Sequence, residues 1–337
     1  MAEYDFSLVE AAIIDTQHNT LRLMRDVLVR LGIKNVATYA NFRDAATAFK
    51  SATPDLVLVD ADGPEAETEA FRLVRSLRNE PGTPNPFACL IVTTWQPTPV
   101  LLMRVTNAGA DDLLVKPVSP KQVQERIVTL IKERRSFVVT SDYIGPDRRK
   151  SPRESNQILL LEVPNTLKLK ATGKFGTTNV RQLMFQANRQ VSEQKVLRSS
   201  VQAAFLIEFA REGLTAATPD RMAVEHLSRV PATVDELVRR LPDDRDTSAV
   251  RNAARALKQM VESLRAQLET GPADGAEVSR TVALSRDLMQ AVNPERPLDS
   301  MIREVDGAVA GYRNRLEQLA QARNAPPPDP APEAKAS

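Results

Sequence analysis

The chain has a single cysteine, Cys89, among its 337 residues, so it contains no intramolecular disulfide and no cysteine-based zinc site. Cys89 lies in an apolar run, where we expect a small buried residue. Aromatic residues make up only 4% of the sequence, which favours helices packed through Leu, Val and Ala over an all-β core. The formal net charge is +2, too small to indicate a general attraction to nucleic acid.

Long apolar runs are also lacking. No run approaches the roughly 20 residues that a membrane-spanning helix needs, so we expect no membrane insertion. The first residues lack the basic and apolar regions of a signal peptide, and we therefore expect a cytoplasmic protein. The length of the chain allows two domains.

The most informative stretch surrounds Asp60. Residues 56–59 are Leu-Val-Leu-Val, bounded by Pro54 on one side and by Asp60 and Asp62 on the other, which is typical of a buried parallel strand. A carboxylate at the C-terminal end of such a strand lies at the mouth of an open α/β sheet, where ligands bind. Two interpretations of Asp60 follow: a phosphoryl acceptor, or an N-cap of the next helix, because Asp is a favoured N-cap residue.

Strands and helices alternate through the first 135 residues. We predict strands at 8–14, 36–40, 56–60, 87–92 and 112–115, and helices at 19–31, 41–50, 65–78, 98–108 and 119–135. This alternation indicates a parallel sheet covered on both faces. Four polar residues, Asp15, Asp60, Thr94 and Lys116, fall at the ends of four strands. In a doubly wound sheet these ends converge on one crevice.

Residues 8–135 resemble the receiver domain of bacterial two-component response regulators. The resemblance implies a flavodoxin-like, doubly wound α/β fold with strand order 2-1-3-4-5. It is carried by Ile13-Ile14-Asp15, Asp55-Leu-Val-Leu-Val-Asp60, Leu90-Ile-Val-Thr-Thr94 and Ala108-Gly-Ala-Asp-Asp-Leu-Leu-Val-Lys116-Pro117. The spacings from Asp15 to Asp60 and from Thr94 to Lys116 also fit the family.

The resemblance implies that Asp60 accepts a phosphoryl group from a sensor histidine kinase or a phosphotransfer protein. Mg²⁺ would be held by Asp15 and Asp60, with Asp62 as a further ligand and Thr16 as a weaker one. The metal neutralises charge as phosphorus passes between oxygens.

The resemblance also implies a phosphate-binding pair. Lys116 would pair with the phosphate as a point charge, and Thr94 would hydrogen-bond a phosphate oxygen and move inward when Asp60 is modified. The Lys116–Pro117 peptide bond would be cis.

Three residues depart from the family pattern. Thr16 stands where a second acidic residue is usual, and Asp62 is a candidate to compensate for it. Trp95 stands where a small residue is usual, either shielding Asp60 from water or only packing on the fourth helix. Leu113 replaces a usual aromatic, so we expect any switch to run mainly through the loop at 94–99.

The segment 136–175 is predicted to be a linker, because Gly145, Pro146 and Pro152 argue against regular structure. Within it, residues 159–170 alternate in a way that suits an extended segment. A basic cluster in the linker offers contact with an acidic partner or nucleic acid, but a solvated linker is the preferred interpretation, because no aromatic residues accompany it. The cluster consists of Arg148, Arg149, Lys150 and Arg153.

Residues 176–323 have a helical pattern. We predict helices at 180–213, 223–229, 233–241 and 276–292, and apolar seams with three-four spacing at 250–268 and 302–319. Such seams indicate a helical bundle, with a dimer interface or a groove for a partner helix as alternatives. The Pro-rich residues 324–337 are predicted to be a disordered tail.

The helical region carries no Walker loop, zinc spacing, Gly-rich dinucleotide turn or recognisable helix-turn-helix. We therefore expect no enzyme beyond the phosphoaspartate chemistry. His226 is a candidate phosphotransfer histidine, but its neighbours lack the lysine and small residues expected there, so a structural or surface histidine is the default.

The leading hypothesis is a phosphorylation-controlled regulator that signals through contacts of its helical region with an unidentified protein, with a homodimer left open. One alternative is a pseudo-receiver scaffold that works without phosphorylation, which Mg²⁺ affinity would separate from the first. Another is a DNA-binding transcriptional regulator, which would show steep salt dependence on duplex DNA. Nucleic acid is not the expected partner.

Overall fold

The computed structural model describes residues 4–149 and 159–324. The chain divides into two compact units, residues 1–198 and residues 199–337. Within the described ranges, the helices are all too short or too polar to cross a membrane.

A parallel sheet lies at the centre of the first unit. Its strands are β1 (Glu10–Ile14), β2 (Asn35–Tyr39), β3 (Leu56–Asp60), β4 (Cys89–Thr94) and β5 (Asp112–Val115). Their order is β2-β1-β3-β4-β5, which confirms the predicted flavodoxin-like topology. The register pairs Ile14 with Val59 and Asp60 with Thr93, so the carboxyl ends of β1, β3 and β4 lie side by side.

Five helices cover both faces of this sheet. They are α1 (His18–Arg30), α2 (Phe42–Ala48), α3 (Pro64–Asn79), α4 (Pro99–Ala108) and α5 (Pro120–Lys132). One face packs against α2, α3 and α4, and the other packs against α1 and α5. Every residue of β3 and β4 is buried, as expected for central strands covered on both sides.

The segment predicted to be an irregular linker has regular structure. It contains the strands β6 (Phe137–Val139), β7 (Ile144–Pro146) and β8 (Leu160–Leu161) and the helix α6 (Thr166–Ala171). The strands form an antiparallel sheet in the order β7-β6-β8. The prediction from Gly145 and Pro146 was wrong because β7 is an edge strand, where a proline is tolerated.

Helix α6 also differs from the predicted extended segment. The side chain of Asn165 accepts a hydrogen bond from the Lys168 amide and so caps the helix. Leu167 and Ala171 lie four residues apart, and both join the core on the α1 and α5 face of the main sheet. The alternating Leu and Lys residues therefore belong to a short helix with one buried stripe, and not to an extended segment.

A buried ionic cluster joins α3, the residue that precedes β5, and the segment between α5 and β6. The guanidinium groups of Arg78 and Arg134 lie 2.7 Å and 2.9 Å from the carboxylate of Asp111. Both also lie over the ring of Phe137 in β6, at 5.0 Å and 5.1 Å from its centroid. We call Arg78, Asp111 and Arg134 the Asp111 cluster. It makes residues 136–148 an integral part of the first unit.

The basic residues that follow β7 also make internal contacts. Arg148 donates hydrogen bonds to the carbonyl groups of Ala110 and Asp111. Arg149 pairs with Asp147 at 2.8 Å. The solvated-linker interpretation is therefore wrong for Arg148, whose guanidinium binds buried backbone. Lys150, Pro152 and Arg153 lie outside the described residues.

Helix α7 (Val180–Thr215) begins in the first unit and ends in the second. The remaining helices are α8 (Arg221–Arg239), α9 (Ser248–Leu268), α10 (Gly275–Val292) and α11 (Leu298–Asn324). They confirm the mostly helical character predicted for the C-terminal region. The predicted boundary at residue 176 stays a prediction, and residues 325–337, the predicted tail, lie outside the described residues.

One predicted break in the helical region was wrong. The helices predicted at 223–229 and 233–241 are the single helix α8, which continues through Pro231. A proline inside a helix costs about 3 kcal/mol because it lacks an N–H group and its ring clashes with the preceding turn. Leu227, Val230, Val234 and Leu237 are buried along one stripe on both sides of Pro231, and their packing offsets this cost.

The apolar seams are largely internal to the second unit. Ala254, Leu257, Val261 and Leu264 of α9 are buried, as are Met301, Val305 and Val309 of α11. Burial of these positions agrees with the bundle interior that we preferred over an exposed interface. Towards the end of α11, Leu319 is exposed.

Candidate functional site

Four strand ends bring the predicted site residues together. Asp60 is the last residue of β3, Asp15 follows β1 directly, Thr94 ends β4 and Lys116 follows β5. All four side chains are buried. The crevice predicted from strand ends is therefore present, at the carboxyl edge of the parallel sheet.

Lys116 lies at the centre of this crevice. Its ammonium contacts the Asp60 carboxylate and lies 2.6 Å from Asp62 Oδ2 and 3.4 Å from Asp15 Oδ2. The Lys116–Pro117 peptide bond is cis, as the resemblance implied. Three carboxylates thus share one buried cation, the ammonium group of Lys116.

The alternative of Asp60 as a helix cap does not fit the structure. Helix α3 begins at Pro64 with Gly63 as its N-cap residue, and no side chain caps it. The Asp60 carboxylate instead accepts a hydrogen bond from the Asp62 amide, at 3.3 Å, and contacts Lys116. Asp60 therefore has no capping role for the following helix.

Burial and neighbouring charges shift the pKa values of these groups. Desolvation by burial raises the pKa of Asp60 to about 6, against the opposing effect of Lys116. Desolvation would also raise the pKa of Asp62, but bonds from Lys116 and the Trp95 amide hold it below its usual value. Burial lowers the pKa of Lys116, but Asp60 and Asp62 outweigh it and raise that pKa overall.

The two threonines at the end of β4 contact different carboxylates. The hydroxyl of Thr94 donates to Asp62 Oδ1 at 2.9 Å. The hydroxyl of Thr93 lies 3.4 Å from Asp60 Oδ1. Sequence reasoning passed over Thr93, although side chains alternate along a strand and the register pairs Thr93 with Asp60.

The three residues that depart from the family pattern occupy different environments. Thr16 is exposed and lines a cleft of about 500 Å³ together with Asp62. The Trp95 ring is half-exposed, and its centroid lies 5.6 Å from the Lys116 ammonium nitrogen. Leu113 is partly buried against the core on the α3 and α4 face.

The donor chemistry of the crevice suits Mg²⁺, which prefers carboxylate and other oxygen ligands. Three carboxylates against one ammonium leave an excess of negative charge, which a divalent cation would balance. In the described part of the chain, no three acidic, histidine or cysteine side chains are arranged around a common metal position. The Lys116 ammonium lies within 3.4 Å of an oxygen of each of the three carboxylates.

His226 is not arranged as an accessible phosphotransfer residue. It is buried, and its Nδ1 lies 2.7 Å from the carbonyl oxygen of Met222. Its ring centroid lies 4.6 Å from that of Phe209. These contacts fit the structural histidine that we took as the default.

Comparison with known proteins supports the assignment of the first unit. Residues 11–128 match the family described as the response regulator receiver domain. The chain is 25% identical over 116 residues to the chemotaxis protein CheY of Thermotoga maritima, covering 34% of this chain and 91% of that protein. It is 26% identical over 122 residues to ycf27 of Cyanidium caldarium, named a probable transcriptional regulator, covering 36% of this chain and 45% of that protein.

Among solved structures, a response regulator from Thermotoga maritima is 25% identical, with a TM-score of 0.33, and the match covers 37% of this chain and all of that one. The family match and the strand order together identify the class of domain. The chain carries a CheY-like response regulator receiver domain over residues 11–128, followed by a mostly helical region. Receiver domains are generally signalling domains rather than enzymes, and the family match supports a role of residues 11–128 in two-component signalling.

Proposed function

We propose that Asp60 accepts a phosphoryl group from the phosphohistidine of a sensor histidine kinase or phosphotransfer protein. The observation that carries this proposal is the position of Lys116, whose ammonium contacts Asp60 and lies near Asp15 and Asp62. A buried carboxylate beside a fixed cation at the open edge of a parallel sheet is suited to receive a phosphoryl group.

In this reaction an Asp60 carboxylate oxygen attacks phosphorus. A new P–O bond forms while the P–N bond to the donor imidazole breaks, and the electron pair returns to the imidazole, which takes a proton from solvent. Negative charge is spread over the oxygens of the transferring group, and the Lys116 ammonium is already positioned to stabilise it. Thr94 is proposed to supply a hydrogen bond to one of those oxygens after transfer.

Asp15 and Asp60 are the residues proposed to hold Mg²⁺. When bound, the metal neutralises part of the charge on the transferring phosphoryl group. Asp62 and Thr16 remain weaker candidate ligands. Asp62 already contacts Lys116, Thr94 and Trp95, and Thr16 offers only a neutral hydroxyl.

The output is proposed to be protein contact by the helical region, in a cytoplasmic protein. The first unit's basic residues Arg148 and Arg149 are engaged with backbone carbonyls and with Asp147, which does not favour the DNA-binding alternative. A homodimer formed through the helical region is the alternative to contact with another protein. A measurement of the molecular mass in solution would detect it.

Incubation with acetyl phosphate and Mg²⁺ tests the acceptor. We expect phosphate incorporation into the wild type and none into Asp60→Asn. Asp55→Asn is the matched control. Asp55 is also a buried carboxylate, but it immediately precedes β3, at the end opposite to Asp60, and it pairs with Lys170 at 2.8 Å. Incorporation should persist in this variant wherever circular dichroism reports a folded protein.

Absence of incorporation into the wild type would reject Asp60 as an acceptor. The phosphorylation-independent scaffold would then take its place, and Thr16, Trp95 and Leu113 would mark the loss of the reaction. Incorporation that persists in Asp60→Asn would move the acceptor to another residue.

A further inference from the structure

Asp62 occupies the donors that the proposed function assigns to a phosphoryl group. Its Oδ1 accepts the Thr94 hydroxyl at 2.9 Å and the Trp95 amide at 2.6 Å. Its Oδ2 lies 2.6 Å from the Lys116 ammonium nitrogen. One carboxylate therefore engages a cation, a hydroxyl and a backbone amide at the same time, which resembles the way a phosphoryl group is bound.

The Thr94 hydroxyl cannot serve two acceptors. A hydroxyl carries a single proton, and Thr94 donates it to Asp62 while accepting a hydrogen bond from the Gln96 amide at 3.1 Å. A hydrogen bond from Thr94 to a phosphoryl oxygen on Asp60 therefore requires that the bond to Asp62 break first.

We propose that Asp62 is a competing carboxylate, which holds Lys116, Thr94 and the Trp95 amide until a phosphoryl group on Asp60 displaces it. This inference rests on the proposed function of Asp60. Displacement frees the Trp95 amide together with the Thr94 hydroxyl, so residues 94–96 change position as one segment. The competing carboxylate thereby determines how readily the phosphorylated arrangement forms.

Two structural features allow this displacement. The side chain of Asp62 is 21% exposed, in contrast to 1% for Asp60, so a released Asp62 carboxylate can be hydrated. Asp62 also lies on the short connection between β3 and α3, outside both elements. Its release therefore breaks no backbone hydrogen bond of the sheet or the helix.

Beryllofluoride, which mimics a phosphoryl group on an aspartate, tests the competition. The probe is titrated at saturating Mg²⁺ and followed by fluorescence of Trp95, the only tryptophan. We expect Asp62→Ala to bind beryllofluoride about tenfold more tightly than the wild type, corresponding to about 1.4 kcal/mol. Asp62→Asn should be intermediate, because its amide oxygen still accepts the bonds of Thr94 and Trp95 but cannot form an ion pair with Lys116.

Glu65→Gln is the matched control for charge. Glu65 lines the same cleft as Asp62, and its replacement removes one negative charge without removing a described contact to Thr94 or Lys116. Separate Mg²⁺ titrations of all variants measure the effect of charge on the metal. Beryllofluoride affinity in Asp62→Ala that equals or falls below that of Glu65→Gln would overturn the proposal.

The same titrations distinguish a failure of the acceptor role of Asp60 from a failure of the competition by Asp62. If the wild type binds no beryllofluoride, the acceptor role of Asp60 fails and the competing carboxylate fails with it. If the wild type binds and Asp60→Asn does not, the acceptor role stands, and the affinities of Asp62→Ala and Asp62→Asn alone decide the competition. The Trp95 emission of unliganded Asp62→Ala should then resemble that of the liganded wild type.

Discussion

Asp111→Asn should severely destabilise the first unit. Asp111 is buried between Arg78 and Arg134, and its Oδ2 also accepts the Leu90 amide at 2.8 Å. The variant leaves two buried guanidinium groups without a counter-charge. Removing one partner of a buried ion pair typically costs 3–5 kcal/mol, because the remaining charge is uncompensated. For a unit of this size we expect a fall in Tm of about 10 °C.

The neighbouring residue supplies the control. Asp112 pairs with Arg126 at 3.4 Å, and the Arg126 side chain is half-exposed. Exposed pairs contribute about 0–1 kcal/mol, so Asp112→Asn should be nearly neutral. Urea and thermal unfolding followed by Trp95 fluorescence would report on the first unit in both variants. A loss below about 1 kcal/mol in Asp111→Asn would refute the reasoning.

The pH dependence gives a second check on the same cluster. Burial would raise the pKa of Asp111, but the charges of Arg134 and Arg78 outweigh it and hold the pKa below its usual value. The unfolded state therefore binds more protons, and the stability that Asp111 contributes is present above its usual pKa of 3.8 and lost as the pH falls through its folded pKa. The difference between wild type and Asp111→Asn should accordingly shrink in acid.

Two further predictions concern the buried groups Asp60 and Cys89. Burial raises the pKa of Asp60 from 3.8 to about 6, so the metal-free folded state binds more protons than the unfolded state, and stability falls as the pH rises from about 4 to about 6 and stays lower above it. In EDTA, Asp60→Asn should be more stable than the wild type at pH 7.5, by up to about 3 kcal/mol, and should lose this advantage near pH 4 in urea unfolding. Burial raises the pKa of Cys89 to about 12, so a thiol reagent at pH 8 should label it only after unfolding. Rapid labelling of the folded protein would contradict the burial of Cys89.

The sheet and the crevice could be predicted because their signals are local. Residues 56–59 form a short apolar run followed by a carboxylate, and in the same way Asp15 follows the apolar end of β1. In a parallel sheet the carboxyl ends share one edge, so identifying the strands was sufficient to bring Asp60 and Lys116 together. Asn41, Thr98 and Ser119 cap their helices through side-chain hydrogen bonds, so the N-termini of these helices can also be predicted from the sequence.

The extension at 136–175 could not be predicted because its contacts are distant in sequence. Arg78 lies in the last turn of α3, where an arginine usually points to solvent near the helix C-terminus. Its burial depends on Asp111, Phe137 and three backbone carbonyls that belong to other elements. The partners of Arg78 are not evident from the sequence. The sequence of residues 136–175, which contains proline and glycine, therefore does not indicate that this segment packs against the parallel sheet and its helices.

The orientation of Asp62 was the least predictable part of the site. From sequence, a carboxylate two residues beyond the acceptor is equally suited to hold a metal or to accept hydrogen bonds. In the structure the Asp62 carboxylate contacts donors on other strands: Thr94 and the Trp95 amide at the end of β4, and Lys116 after β5. Because Lys116 supplies the only cation within reach of Asp15, Asp60 and Asp62 among the described residues, any new negative charge on Asp60 must change how that cation is shared. The point at which Asp62 releases Thr94 therefore depends on which carboxylates hold the metal. A metal that recruited Asp62 would free Thr94 before transfer, whereas a metal held by Asp15 and Asp60 would leave Thr94 bound until the phosphoryl group arrived, so the Trp95 response to Mg²⁺ alone separates the two.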